Sequence, residues 1–459
     1  YTPTGFNELD LSANSPVLKE ALQAYEGIAG QSPSASELHR ISKDLKKMYQ
    51  KDYINYWRSF VSHINAKDIT ETDTLKLALA TLKIKSDNPI ARLYETIHKY
   101  TSVEIEISDS EVNKEAPPKQ DPEKKEAARQ IFIAFSKFHK QISTDENGSR
   151  PVDSLIKKID DVDTWLNRFY DAENPQELAF KTLSAELKAP NPVVSLVSKK
   201  SIAPLVSTTI LEGMTKQINE IILSLAHSYL NTAWQTEVFS PYTKTIAAYY
   251  PFNKTASIDA STSDITAFFK TGGTLDKFYQ TKLKAFSTQE RSPFLAGLVP
   301  NSGLALSPDV WQMINKAEDI RSALFLNDPQ SLSIKFQVRA KEMSADLIKF
   351  SINADKSIFS YQHGPKLWSK QTWSTQKINK DSLDFRIETK KTSVSSNEYT
   401  GSWAWFKLIE PRVISSTSQT TVAEFTHGQS KVKIDILTEG QNNPFVPNFF
   451  SAFRLPASI

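Results

Sequence analysis

Near Ser331 the spacing of apolar residues changes from three and four to two, which sets the order of the architecture: helices first, then a sheet. Before that point Leu38, Ile41, Leu45, Met48, Tyr49, Tyr53, Tyr56, Trp57, Phe60 and Ile64 recur at helical steps and predict one helix with a single apolar face. A second helix is expected over residues 73–82, opening at an Asp or Thr cap, and a third opens at Asn88-Pro89. Ile131, Phe132, Phe135 and Phe138 form another stripe, as do Met214, Ile218, Ile221, Ile222, Leu225 and Tyr229. Asn191-Pro192 and Ser240-Pro241 are expected to interrupt the series, because proline disfavours helix in the residue before it. A short helix over 264–269 should end at Gly272-Gly273.

After the change, SIKFQVRA sets Ile334, Phe336 and Val338 on one face and Lys335, Gln337 and Arg339 on the other. LDFRIET and KVKIDIL repeat the pattern, and further strands are expected near 346–353, 356–362, 403–409 and 421–427. The prediction is an α+β chain: a long all-helical N-terminal region followed by a C-terminal antiparallel β-sandwich-like domain. Its 459 residues exceed one ordinary core. The expected division is a helical domain over 1–107, a Pro-rich charged linker over 108–125, a second helical domain over 126–330, and a β-sandwich domain with a C-terminal tail over 331–459.

Composition excludes more than it selects. The chain has no cysteine, which removes disulfides, thiol nucleophiles and thiolate metal sites. With 55 basic and 52 acidic residues the net charge is +3, so no strong field for nucleic acid or anionic lipid is expected, although local patches are allowed. No apolar run approaches the roughly 20 residues that span a bilayer, so no transmembrane segment is expected in this chain. Residue 1 is a tyrosine with no secretory leader around it, so the chain reads as cut from a longer protein whose anchor lies upstream.

Chemistry-bearing patterns are sparse. There is no phosphate loop, dinucleotide fingerprint, zinc-protease helix or serine-hydrolase elbow. None of the 7 histidines pairs with another at the helical spacing that binds metal, so no cofactor and no metal site is predicted. His363, in YQHGP, reads as a buried histidine bonded to turn backbone rather than a base. Asp160, Asp161 and Asp163 lack the glycine and glutamate of a calcium loop and read as a solvated helix start. Trp403 and Trp405, placed on a strand, would share a face as core anchors or as a sugar or partner platform.

Several segments, in order, resemble the C-terminal periplasmic region of the IcmF/TssM family. YTPTGF opens the chain, and KMYQKDYINYWRSF bears Tyr49, Asp52, Tyr53 and Trp57. NPIARLYETI begins at Asn88. LNTAWQTEVFSPYTKTIAAYYPFNKTA carries Leu230, Asn231, Trp234 and Val238, then Tyr250-Pro251-Phe252. DITAFFKTGGTLDKFYQTKLKAF is similar to the family signature at Phe268, Phe269, Gly272, Leu275, Asp276 and Phe278. YQHGP, GSWAWFKLIE and NPFVPNFFSAFRLP match in the β region. Two departures stand out: Trp373-Ser374 replaces the usual Trp-Pro-Gly, and Leu455 replaces a cysteine often found before the last proline. They leave type VI and the related Dot/Icm type IVB systems both open.

The resemblance implies a non-enzymatic periplasmic scaffold on an inner-membrane-anchored parent. It also implies a DotU/TssL-type inner-membrane partner through that parent, and a TssJ-like outer-membrane lipoprotein or other secretion-core proteins as further partners. Trp57, Trp234, Tyr250, Pro251, Phe252, Phe269, Gly272 and Trp403 are expected to serve the fold. His363, Trp368, Asn443 and Phe445 are expected on exposed partner-docking segments. The alternatives are an envelope carbohydrate-active enzyme, which needs a cleft with two close acids, and a peptidoglycan-binding module.

Overall fold

The computed structural model describes the chain except residues 31, 65–71, 104–121, 186–191, 198–204, 285–305, 355–356, 375–381 and 391. Two compact units result, Tyr1–Ala226 and His227–Ile459. The division falls inside the long helix Leu205–Trp234. At the expected boundary of 330/331 the backbone changes from helix to strand. Most of the expected linker lies outside the described residues, but its last four positions belong to the helix Pro122–Ala134.

Unit 1 is all helix among its described residues. Pro3, Pro16, Pro89, Pro122, Pro151, Pro175 and Pro192 each open a helix, where the missing N–H costs nothing and the fixed φ is already helical. Asn88 caps Pro89–Thr101 by accepting from the N–H groups of Ile90 and Ala91. The long helix Ala35–Ser62 carries a full capping box between Ser34 and Glu37. Only part of its apolar stripe is buried: Tyr53, Trp57 and Val61 are inside, whereas Met48, Tyr56 and Phe60 are exposed. Trp57 stacks on Tyr100 at 5.2 Å, and the Tyr53 hydroxyl donates to Tyr100 O at 2.5 Å.

One expectation for unit 1 is reversed. Asp160, Asp161 and Asp163 lie well inside the helix Pro151–Tyr170, not at its start. Asp163 is buried, held by the Lys83 ammonium at 2.7 Å and by Asn167. Spacing along one helix cannot show a cation arriving from another.

In unit 2 the helix ending at Trp234 does not break at Pro241. Helical backbone continues through Gln235–Phe239, Ser240–Tyr242 and Thr243–Ala247, the first and last of these with π turns. The wider turns accommodate a residue that has no N–H and crowds the preceding turn. Thr243 and Thr245 hydroxyls bond to the carbonyls of Phe239 and Pro241. Helices Thr262–Phe269, Thr274–Phe278 and Pro308–Leu324 complete the helical part.

The β part holds two antiparallel sheets. The first runs β4 (Ser369–Ser374), β1 (Ser333–Met343), β10 (Ser430–Thr438), β9 (Thr420–His427), β8 (Val413–Ser416). The second runs β3 (Ser357–Tyr361), β2 (Leu347–Ala354), β5 (Ser382–Thr389), β6 (Ser393–Ser395), with β7 (Tyr399–Thr400) also on β5. Phe350 and Phe385 of the second sheet meet Phe425 of the first, each at 4.9 Å, so the sheets pack face to face. The expected strand over 403–409 is instead the helix Ala404–Ile409. WAWF alternates for only two steps, and its neighbours Leu408 and Ile409 are buried on the helical period.

Unit 1 also buries a histidine. Thr101 donates its hydroxyl proton to Ile97 O, so His139 Nε2, 2.7 Å from that oxygen, must be the donor to it. Nδ1 is buried with no hydrogen-bond partner among the described residues, so a second proton there would be unsatisfied and the neutral ring is favoured. Burial, and then His98 with its ring 4.8 Å away, hold its pKa down to about 4. A folded pKa below the unfolded value of about 6.5 means the unfolded chain binds the extra proton. Unit 1 should therefore lose stability as pH falls from 6.5 toward 4, by about 2–3 kcal/mol. Chemical denaturation at stepped pH checks this, and His139→Leu should flatten that window.

Candidate functional site

The residues that carry the family resemblance converge in unit 2 on an aromatic seam closed by the C-terminal tail. Phe252 stacks on Phe269 at 5.8 Å and meets Phe450 edge-on at 5.6 Å. Phe450 meets Trp403 at 5.4 Å, and Trp403 meets Trp373 of β4 at 5.0 Å. From Phe450 the contacts also run through Phe406 and Phe445 to Phe336 of β1. Helical segment, tail and sheet thus share one core.

The polar tips of these rings are fixed by backbone. Trp234 Nε1 donates to Pro456 O at 2.9 Å, the Tyr242 hydroxyl to Phe453 O at 2.7 Å, and Trp403 Nε1 to Ala260 O at 2.9 Å. Trp373 Nε1 donates to Ser402 O at 2.6 Å. Burial pushes the Tyr242 hydroxyl up to about 12, so it stays a donor. Asn443 bonds to Thr421 Oγ1 and Thr417 O, and accepts from the Phe445 N–H.

The Tyr250-Pro251-Phe252 corner, with a cis Tyr250-Pro251 peptide, is tied down by charge. The Tyr250 hydroxyl donates to Glu410 at 3.2 Å, and Lys254 pairs with the same carboxylate at 2.5 Å. Burial, then Glu410, raises the Tyr250 pKa far above its ordinary value. Lys407 reaches Asp259 at 2.7 Å beside Gly401. A Cβ on Gly401 would lie 2.3 Å from Asp259 Oδ2, and its φ of 96° disfavours any side chain. Gly272, at φ 71°, ends the helix Thr262–Phe269 region as the sequence predicts.

The sequence-predicted docking residues separate into two places. His363 and Trp368 flank an exposed loop between β3 and β4; His363 is exposed, yet its Nε2 bonds Leu347 O at 2.7 Å. Trp368 lies under the Arg339 guanidinium at 4.3 Å. Asn443 and Phe445 are both 2% exposed, so the tail expected to be free is buried as part of the core. Trp403 and Trp405 are buried too, which removes them as a sugar platform. Trp57 belongs to the unit 1 core.

Among the described residues no cluster of His, Asp and Glu could hold a metal ion. A 290 Å³ cavity in unit 1 is lined by Phe6, Glu8, Asp10, Leu11, Lys46 and Tyr49, among others. The Ser12 N–H holds the Asp10 pKa below its ordinary value, opposite to what a general acid needs. No helix among the described residues is long and apolar enough to cross a membrane.

Comparison with known proteins agrees with this order of parts. Residues 1–102 match the IcmF-related family described as intracellular multiplication and human macrophage-killing. Residues 225–329 match the type VI secretion protein IcmF helical domain, and residues 336–440 its C2-like domain. The chain belongs to the IcmF/TssM family. Type VI secretion system component TssM1 of Pseudomonas aeruginosa is 21% identical across 100% of the chain, which covers 44% of that protein. The chain therefore spans less than half of this relative. Its fold is similar to a chain of a type VI secretion system membrane core complex, with a TM-score of 0.70, 14% identity, and coverage of 100% and 89% of the two chains. A type VI membrane complex gives 0.68 at 15% identity, covering 97% and 83%.

In this IcmF/TssM chain the roles of Tyr242, Gly401 and the Lys407–Asp259 pair are not legible in the sequence, because each acts through a partner distant in sequence. Gly401→Ala should destabilise unit 2 by at least about 2 kcal/mol, from positive φ plus the clash with Asp259. Gly428→Ala, with a positive φ but open space around it, should cost about 1 kcal/mol. Paired urea melts check the difference.

Proposed function

We propose that this chain is a structural, non-enzymatic part of a type VI secretion membrane complex, standing in the periplasm on an inner-membrane-anchored parent. One observation carries the reading. Trp234, Tyr250, Phe252, Phe269 and Trp403 are all buried in one seam, spent on holding helices and sheets together instead of facing a substrate. Two of the three family matches are described as type VI proteins, which favours that system over type IVB. Helical unit 1 serves as a spacer, while the loops and edge strands β3, β4 and β8 offer surface for recognition. A DotU/TssL-type protein is the expected partner of the parent, and a TssJ-like lipoprotein the expected partner of this region.

Affinity capture tests the proposal, with the chain as bait against detergent-solubilised envelope of its own bacterium. Recovery of secretion-core proteins, with a TssJ-like lipoprotein among them, is the expected result. Recovery of no secretion component, in detergent that preserves a known secretion complex, would contradict it.

A further inference from the structure

The formal net charge of +3 conceals a segregation of charge on the first sheet. Its outer face presents Lys335, Arg339 and Lys341 from β1, Lys370 from β4, and Lys431 and Lys433 from β10. Lys366, in the loop before β4, lies against the same face through a bond to Lys341 O. The acids there are Glu342, Glu424, Asp435 and Glu439. Asp435 is shared by Arg339 and Lys341, Glu342 is taken by Lys433, and Glu424 by Lys431. Among the described residues no ion pair forms at Lys335, Lys366 or Lys370, all exposed and spread along the β1–β4 edge. Lys335 and Lys370 sit diagonally on neighbouring strands, on the same face of the sheet.

A second observation lies at the same edge. Leu367 is 76% exposed between Lys366 and Trp368. His363, at φ 57°, bonds Leu347 O, and Trp368 rests against Arg339. These contacts anchor both sides of the loop that presents the leucine. An exposed aliphatic tip, a tryptophan beside it and exposed lysines along the same edge form the pattern of a surface that rests on lipid.

We propose that this edge of the β domain docks on an anionic phospholipid bilayer. Lys335, Lys366 and Lys370 meet the headgroup phosphates, and Leu367 enters at headgroup depth. The proposal rests on the envelope location given above. Its test uses no secretion component, so either reading can fail alone.

The probe is vesicles of phosphatidylcholine with about one-third phosphatidylglycerol, compared with pure phosphatidylcholine, in co-sedimentation of the full chain. Retention on the anionic vesicles alone, weakening as salt rises, is expected. Joint K335Q, K366Q and K370Q substitutions should weaken binding about 100-fold, at about fivefold per lysine. Joint K19Q, K137Q and K157Q substitutions remove the same charge from exposed positions in unit 1 and should leave binding unchanged. Leu367→Ser should weaken it about tenfold while keeping the salt dependence. Equal retention by neutral vesicles, retention by neither, or equal loss in both triple variants overturns the proposal. Failure with vesicles combined with binding of the same face to an acidic protein also overturns it, in favour of a protein partner.

Discussion

Unit 2 depends on a set of hydrogen bonds that only its own C-terminal tail can supply. Trp234 and Tyr242 stand on consecutive stretches of one helical segment, buried, with N–H and O–H pointing at Pro456 O and Phe453 O. Without those carbonyls, two polar groups would be left inside an apolar core, at about 1–3 kcal/mol each. The tail is held in return by Asn231, which accepts from the Ile459 N–H, and by Asn443, which bonds into β9. Between these anchors Phe445, Phe450 and Phe453 reach the sheet, Trp403 and the Tyr-Pro-Phe corner. The last residues of the chain therefore complete the first part of the unit.

This arrangement separates two kinds of service. Conspicuous aromatic residues are withdrawn from the surface, and their chemistry is packing and backbone hydrogen bonding. What the surface keeps is less conspicuous: lysines on an outer sheet face, the exposed Leu367 and short edge strands. A fold made this way keeps its shape through its interior and leaves its exposed residues free of that task.

The regular parts of the fold were legible because each is written in neighbouring residues. The alternation in SIKFQVRA and KVKIDIL places Phe336, Val338, Ile434 and Ile436 inside as predicted, and Asn88 caps its helix as its position before Pro89 implies. Expectations failed where a distant residue decides. WAWF is too short to distinguish strand from helix, and its neighbours in space, Phe450 and Phe336, come from elsewhere in the chain. Asp163 is buried because Lys83 reaches it, and Pro241 is absorbed by π turns instead of ending the helix. Asn443 and Phe445 lie in a polar, proline-containing stretch that resembles a free tail, yet Thr421, Phe336 and Phe406 enclose them. Of the candidate site, the core residues were readable from motif resemblance. The lysines of the β1–β4 edge were not readable, because they align only once β1, β4 and β10 pair.

Hydrogen exchange on Phe453→Ala beside the unaltered chain tests most directly whether tail, helices and sheet form one cooperative unit. Phe453 touches Tyr242, Phe252 and Phe269 and, among the described residues, makes no ring contact with the sheet. If the seam joins the parts, amides of Thr262–Phe269 and of β1 and β10 should lose protection together and by a similar factor. Loss confined to the helical segment, with the sheet fully protected, would contradict the account.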